Sequence, residues 1–479
     1  MTVATPRAPG ISTRLAYGLG GVAFGVKDSG FSFFLLIFYS QVIGLDARLV
    51  GLALTIALVA DAISDPVVGY WSDVFRSRWG RRHVFMYASA IPVTVSYFLL
   101  WRPPGSWNQT ELFWYLLTLA VLTRTFITFF ETPSAALAPE LSRDYDQRSV
   151  LMSYRTFFGW AGGNAMTVIM FFFLFPAFAT GAIPQGQLNP AAYVAYAGIS
   201  AALIFLSIMT SSLGTHSWVS RLVHPEPRRL TLVTVFRDMF ETLANRSFVA
   251  LFIAAIFAFV ASGLVSALSV YFSTYFWAFS SVQIGEITLA VFVSALLGAA
   301  IAPLIAQRLN KKRAAIVIGG VALIVSPLAV ALRLFGVLSD GGDPATFWSV
   351  LVIGQISVAL TVAFQALMAS MIADLVEQSE LKTGRRSEGV FFAANTFVQK
   401  MVSGVGVMAA ALILALARFP ANATPSAVPD EVLQRLGWYY IPALVLLQLG
   451  MLSAIAFYSL DRRTHEKNLQ RLGSASPKA

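Results

Sequence analysis

Residues 49–72 read LVGLALTIALVADAISDPVVGYWS, and this stretch decides the architecture. From Leu49 to Ala60 every residue except Thr55 is apolar or glycine. A helix needs about 20 such residues to cross the hydrocarbon core of a bilayer. Two carboxylates, Asp61 and Asp65, lie inside the run. An ionisable group at that depth costs about 3 kcal/mol or more, so it generally faces a cavity and has a task. The stretch reads as a membrane helix with a functional face.

The rest of the chain agrees. It has 479 residues, of which 57% are hydrophobic and 12% charged, with mean hydropathy +0.69. A soluble domain carries about 25% charged residues, so this chain cannot cover a water-soluble globule of its size. With no cysteine, a disulfide scaffold and a cysteine-ligated metal site are excluded. The hydrophobic content excludes disorder. Twelve apolar runs long enough to span are expected, at 15–44, 49–72, 83–101, 111–138, 149–178, 191–213, 248–277, 282–306, 314–337, 347–373, 389–418 and 437–460. The first 14 residues are polar, and the apolar run after them is longer than the core of a cleavable signal.

The net charge of +10 is a topology signal, not a sign of nucleic-acid binding. With an even number of spans, both termini share a side. The loops of that side hold 25 Lys and Arg, while the other side holds only Arg48, Arg102, Arg418 and Arg435. The positive-inside rule then puts both termini in the cytoplasm. The longest polar stretch, 214–247, divides the spans six and six. Within it Thr231–Ala244 has the spacing of an amphipathic surface helix. The expected units are a six-helix half at 1–213, a cytoplasmic linker at 214–247, and a second half with a short tail at 248–479. That is the layout of the major facilitator fold: an all-α membrane protein of two six-helix halves built from inverted repeats, with substrate bound between them.

The ionisable residues placed at mid-bilayer depth are few: Lys27, Asp28, Asp61, Asp65, Arg124, Glu131, Arg155, Arg333 and Lys400. All four acids fall in the N-terminal half. The i,i+4 spacing of Asp61 and Asp65 puts both on one helix face, with Ser64 beside them. Close carboxylates relieve their repulsion by taking up a proton or a cation. A hard cation such as sodium takes oxygen ligands. The alternative is a pair of helix-end acids bound to loop arginines. Thr128, one turn before Glu131, offers one more oxygen, and Glu131 could instead accept bonds from a polar substrate. Lys27-Asp28 interrupts the first span between Gly25 and Gly30. Lys400 shares much of its face with Asn395, Thr396 and Gln399.

Two loops carry dense charge. One is Asp73 followed by Arg76, Arg78, Arg81 and Arg82; the other runs from Asp374 to Glu388 and includes Arg386. Both suit cytoplasmic gates that make and break ion pairs, with Asp73, Arg76, Arg81, Arg82, Arg386 and Glu388 as gating candidates. The four histidines lack metal-site spacing, and there is no glycine-rich phosphate loop for ATP. No cysteine or mid-span histidine offers a nucleophile and base, so an enzyme is not expected.

These motifs together resemble the glycoside-pentoside-hexuronide:cation symporters, the melibiose permease family within the major facilitators. The matching residues are Tyr17-Gly18, Lys27-Asp28, Asp61-Ala62 with Asp65-Pro66, Arg76-Ser77-Arg78-Trp79-Gly80, and Lys382-Thr383-Gly384 with Arg386-Ser387-Glu388-Gly389. The resemblance covers residues 12–460. It implies that Asp61, Asp65 and Thr128 bind the cation. It implies that Asp28, Glu131 and Arg155 hold sugar hydroxyls beside Lys27, and that Lys400 links the cation region to the other half. Three positions depart from the family pattern. Ser64 replaces a sodium-ligating Asn, Ala135 an aromatic on which the sugar stacks, and Ile127 a Tyr. The first departure leaves sodium or a proton as the coupling ion. The other two suggest a wider, more apolar pocket. Animal sodium-dependent lysolipid symporters keep the Asp pair and the lysine.

The expected function is cation-coupled import of a sugar or glycoside by alternating access, with a lysolipid, glycolipid or other amphipathic substrate as the alternative. Cation-binding residues would be Asp61, Asp65, Ser64 and Thr128; substrate-binding residues would be Asp28, Lys27, Glu131, Arg155, Lys400, Asn395 and Thr396. No cofactor beyond the coupling ion is expected. The expected setting is a monomer in a bacterial inner membrane, in contact with lipid and not with nucleic acid.

Overall fold

The computed structural model describes residues 9–142, 145–181, 183–219, 246–339, 343–383, 402 and 404–458. Among these every regular element is helical. Eleven helices are long and apolar enough to cross a membrane. They are α1 (Ile11–Ile43), α2 (Ala47–Val74), α3 (His83–Leu100), α4 (Gln109–Leu141), α5 (Val150–Ala177), α6 (Pro190–His216), α7 (Ser247–Phe276), α8 (Ser281–Leu309), α9 (Lys311–Leu334), α10 (Pro344–Thr383) and, after a shorter apolar α11 (Gly404–Leu416), α12 (Asp430–Ala456). Ten of the twelve expected spans lie within a few residues of these helices. The eleventh expected span is described only from Gly404 onward, apart from residue 402. The twelfth starts at Asp430 and not 437, because Asp430 and Glu431 favour a helix N-terminus although they lower the hydropathy. Most of the expected linker, including Thr231–Ala244, lies outside the described residues.

The second half repeats the helix pairings of the first. In the N-terminal half α2 packs on α4, α3 on α4 and α6, and α1 on α6. In the C-terminal half α8 packs on α10, α9 on α10 and α12, and α7 on α12. Short loops reverse the chain, and side-chain caps fix the helix starts on one face. Asp46 caps α2, Asn108 and Glu111 form a capping box at α4, Asn189 caps α6, and Ser280 and Gln283 form a box at α8.

The closest crossing is that of α1 on α5. A Cβ on Gly25 would lie 1.9 Å from the Gly159 carbonyl oxygen, and one on Gly21 would lie 2.3 Å from that of Arg155. Only glycine lets two backbones approach so closely, the small-residue contact common between membrane helices. Lys27 and Asp28 follow directly on α1. Just beyond them the helix widens into a π-helical turn at Gly30–Phe34.

The halves join at the face opposite the termini. Gln41 takes hydrogen bonds from the Tyr275 hydroxyl at 3.4 Å and the Ala423 amide at 3.3 Å. Gln187 donates to Thr274 at 3.3 Å and accepts from Ser281 at 2.7 Å. Ser40 meets the Tyr271 hydroxyl, and Trp160 packs edge-on against Phe292. Deeper in, Thr55 donates to the Gly404 carbonyl at 3.0 Å.

Candidate cation and substrate site

A cavity of about 350 Å³ lies between the halves. Lys27, Asp28, Asp61, Arg124 and Glu131 line it from the N-terminal half, with Phe24 and Phe31 beside them. Phe259, Ser262, Gly263, Ser266 and Val407 line it from the other half. Asp28 sits in mid-span, yet its side chain is 54% exposed, so water reaches the cavity.

Two of the three acids on this wall are paired locally. Lys27 is buried, and its Nζ lies 2.6 Å from Asp28 Oδ1. Asp61 is fully buried, and Arg124 donates to its Oδ2 at 3.1 Å while lying over the Phe31 ring. Burying a lone ion is costly, so such partners are what permit charge at this depth.

The expected cation ligands do come together. Thr128 Oγ1 lies 3.0 Å from Asp61 Oδ1, 3.1 Å from Asp65 Oδ1 and 3.0 Å from the Arg124 carbonyl. The Ser64 hydroxyl is 3.4 Å from the same oxygen and donates to the Asp61 carbonyl at 2.9 Å. A threonine hydroxyl has one hydrogen, and here three acceptors surround it. The set is all oxygen, carries two carboxylates, and fits a hard monovalent cation or a proton. Asp61 belongs both to this cluster and to the cavity wall.

Among the expected substrate residues, Asp28, Lys27 and Glu131 line the cavity. Arg155 stands behind them: it donates to the Glu131 carbonyl at 3.1 Å and lies over Phe24. Lys400, Asn395 and Thr396 lie outside the described residues, as do Arg386 and Glu388. Arg124, which the sequence offered only as an ion-pair partner for Glu131, is found on Asp61. Its signal was available, since it precedes Thr128 by one helical turn and so shares the face of the cation cluster.

Ile127 is fully buried in the apolar core. Neither it nor Ala135 is among the described residues that line the cavity. Phe24 and Phe259 add aromatic surface to the cavity lining.

The gating candidates form a latch inside the N-terminal half. Arg82 bridges Asp73 at 2.8 Å and Glu140 at 2.7 Å, and Arg81 also pairs with Glu140. Arg76 is exposed and makes no ion pair among the described residues. The C-terminal half has a counterpart: Lys311, at the start of α9, bridges Asp374 near the end of α10 at 2.6 Å.

A two-halved helical bundle, closed at one face around a water-reached cavity with paired charges, defines an alternating-access membrane transporter. The comparisons agree. Residues 16–462 match the family model described as MFS/sugar transport protein, and the chain belongs to that family. It is 27% identical to an uncharacterised symporter of Synechocystis sp., over 96% of each chain. It is 25% identical to the isoprimeverose transporter of Lactiplantibacillus pentosus, over 94% of this chain and 89% of the relative. Identity to sodium-dependent lysophosphatidylcholine symporter 1 of Gallus gallus is 27%, over 97% and 90%. The crystal structure of a D-xylose-proton symporter superposes with a TM-score of 0.61 at 17% identity, covering 92% of this chain and 96% of that one, which speaks to the major facilitator fold. The chain is a transporter and not an enzyme.

Proposed function

We infer that this protein imports a sugar or glycoside together with sodium or a proton, in a bacterial inner membrane with both termini in the cytoplasm. One observation carries the reading: Asp61 sits in the oxygen cluster of Thr128 and Asp65 and also lines the cavity. Positive charge taken up at Asp61 Oδ1 weakens the hold of Asp61 on Arg124, which lines the same cavity. The cation thus changes the charge that substrate meets. That difference in interaction between the empty and loaded states is what coupling requires. With the termini in the cytoplasm, the closed face is external and the cavity opens inward. The excess of basic residues on the terminal face supports this orientation.

The aromatic rings of Phe24 and Phe259 beside paired charges suit a sugar, whose ring faces are apolar and whose edges hydrogen-bond. An amphipathic lipid is the second reading, which the likeness to a lysophosphatidylcholine symporter supports.

The test is thermal unfolding of the purified protein against sodium concentration and against pH. A ligand of the folded state raises the unfolding temperature as its concentration rises. A sodium-dependent rise that Asp61→Asn removes makes sodium the coupling ion. A shift with pH alone, also removed by Asp61→Asn, makes it the proton. Responses that persist unchanged in Asp61→Asn would sink the assignment.

A further inference from the structure

Asp61 serves two partners at once. Its Oδ1 belongs to the oxygen cluster, 3.0 Å from the Thr128 hydroxyl, and its Oδ2 takes a hydrogen bond from Arg124 Nη1 at 3.1 Å. A cation seated in the cluster therefore lies across a single carboxylate from a fixed positive charge. Arg124 is buried, and its Cζ lies 4.4 Å from the centroid of the Phe31 ring. Its Nε has no hydrogen-bond acceptor among the described residues, and Asp61 is its only ion-pair partner among them. The guanidinium and a bound cation thus draw on the same unit of negative charge.

The arrangement is built into one half. Arg124 and Thr128 stand one turn apart on α4, Asp61 stands on α2, and these two helices pack together. The pair therefore travels with the N-terminal half and is not broken when the halves separate. The Arg124 carbonyl also accepts from the Thr128 hydroxyl at 3.0 Å. The backbone of residue 124 is thus part of the oxygen cluster, and its side chain alone carries the charge. Ser64 and Asp65 are partly exposed, which leaves the cluster open to an ion at their end.

We propose that Arg124 sets the affinity of this site: acting through Asp61, it holds the coupling ion weakly in every state of the cycle, so that the ion leaves readily once the cavity opens inward. The inference rests on the cation site described above and names what tunes it. Two effects of opposite sign compete. Arg124 fixes the orientation of the Asp61 carboxylate, which favours binding by less than about tenfold, the cost of ordering one short side chain. Its positive charge repels the ion. At an effective permittivity of about 20, a like charge several ångströms away weakens binding by about tenfold to a hundredfold. Repulsion is the larger effect. Without it, two carboxylates and a threonine would hold the ion more tightly, and tighter binding is mostly slower release.

Two substitutions separate charge from structure. Arg124→Gln keeps the backbone carbonyl and removes the charge, while Arg124→Lys keeps the charge. The measurement is the unfolding temperature of the full-length protein in detergent against sodium chloride, with choline chloride holding the ionic strength constant. Arg124→Gln should respond at sodium concentrations at least about tenfold lower than the unaltered protein, or respond where the unaltered protein does not. Arg124→Lys should behave as the unaltered protein does. A merely structural role would weaken the sodium response of Arg124→Gln or leave it unchanged, and either result would overturn the proposal. So would an Arg124→Lys response as tight as that of Arg124→Gln.

Asp61→Asn tells this failure from failure of the site. A sodium response that Asp61→Asn leaves intact overturns the cation site, and the tuning by Arg124 with it. A response that Asp61→Asn abolishes and Arg124→Gln does not tighten overturns the tuning alone. If Arg124→Gln unfolds when sodium is removed, the salt that keeps it folded becomes the readout. Sodium and not choline should protect it, and equal unfolding in both salts would overturn the proposal.

Discussion

The two halves share a helix plan and differ in what they bury. Their helices pair in the same pattern, and each ties the start of its third helix to the end of its fourth with an ion pair, Arg82 to Glu140 and Lys311 to Asp374. On the cavity wall the likeness ends. The N-terminal half presents Lys27, Asp28, Asp61, Arg124 and Glu131, while the other half presents Phe259, Ser262, Gly263 and Ser266. The pairing pattern asks only for apolar ridges of suitable size, so it survives wide sequence change. Buried charge asks for specific partners at specific distances. On that wall, among the described residues, it lies in one half, where Lys27 neutralises Asp28 and Arg124 neutralises Asp61 within a single body. The other half can then move across the cavity without breaking those pairs.

The sharpest way to break this comparison is to alter one polar group on each wall. Asp61→Asn should abolish gradient-driven accumulation in proteoliposomes, leaving uptake at the level of equilibration. Ser262→Ala should lower uptake by no more than about tenfold, since it removes at most a neutral hydrogen bond. Equal losses would mean that the coupling charge is not confined to the N-terminal half.

A second contrast concerns packing. Gly25→Val puts side-chain atoms where the Gly159 carbonyl already stands, so it should lower stability by about 1–3 kcal/mol or prevent α1 from docking on α5. Gly354→Ala meets open space and should raise stability by about 0.5 kcal/mol, through reduced freedom of the unfolded chain. Thermal unfolding in one detergent compares the two directly.

The smallest expected difference lies in the latches. Arg82 is 8% exposed and serves two acids, whereas Lys311 is 35% exposed and serves one. Lys311→Ala should cost about 0.2–1 kcal/mol, the range of exposed pairs. Arg82→Ala should cost more, because Glu140 is mostly buried. A reversed order in unfolding temperature would show that burial does not set the strength of these latches.

Much of this was legible in the chain itself. Apolar runs of about 20 residues fix spans wherever they occur, because the bilayer punishes unpaired backbone in every context. The i,i+4 spacing of Asp61 and Asp65 put both carboxylates on one face before any neighbour was known. The first turn of α12 escaped notice because acids that start a helix also lower its hydropathy. Ile127, which the family comparison pointed to, lies in the buried core. Which side of a helix faces a cavity depends on how its neighbours are rotated.

The sequence by itself determined the solvent, the spans, the two halves and the acids that must have work to do. Each follows from local periodicity and from the cost of charge in hydrocarbon, which need no partner to evaluate. Only the tertiary structure decided that Arg124 holds Asp61, that Thr128 stands between two carboxylates, and that Ser262 and Ser266 line the same cavity. Those facts depend on contacts of a few ångströms between residues more than 60 positions apart or on different helices, which are set by packing and leave no periodic trace in the chain.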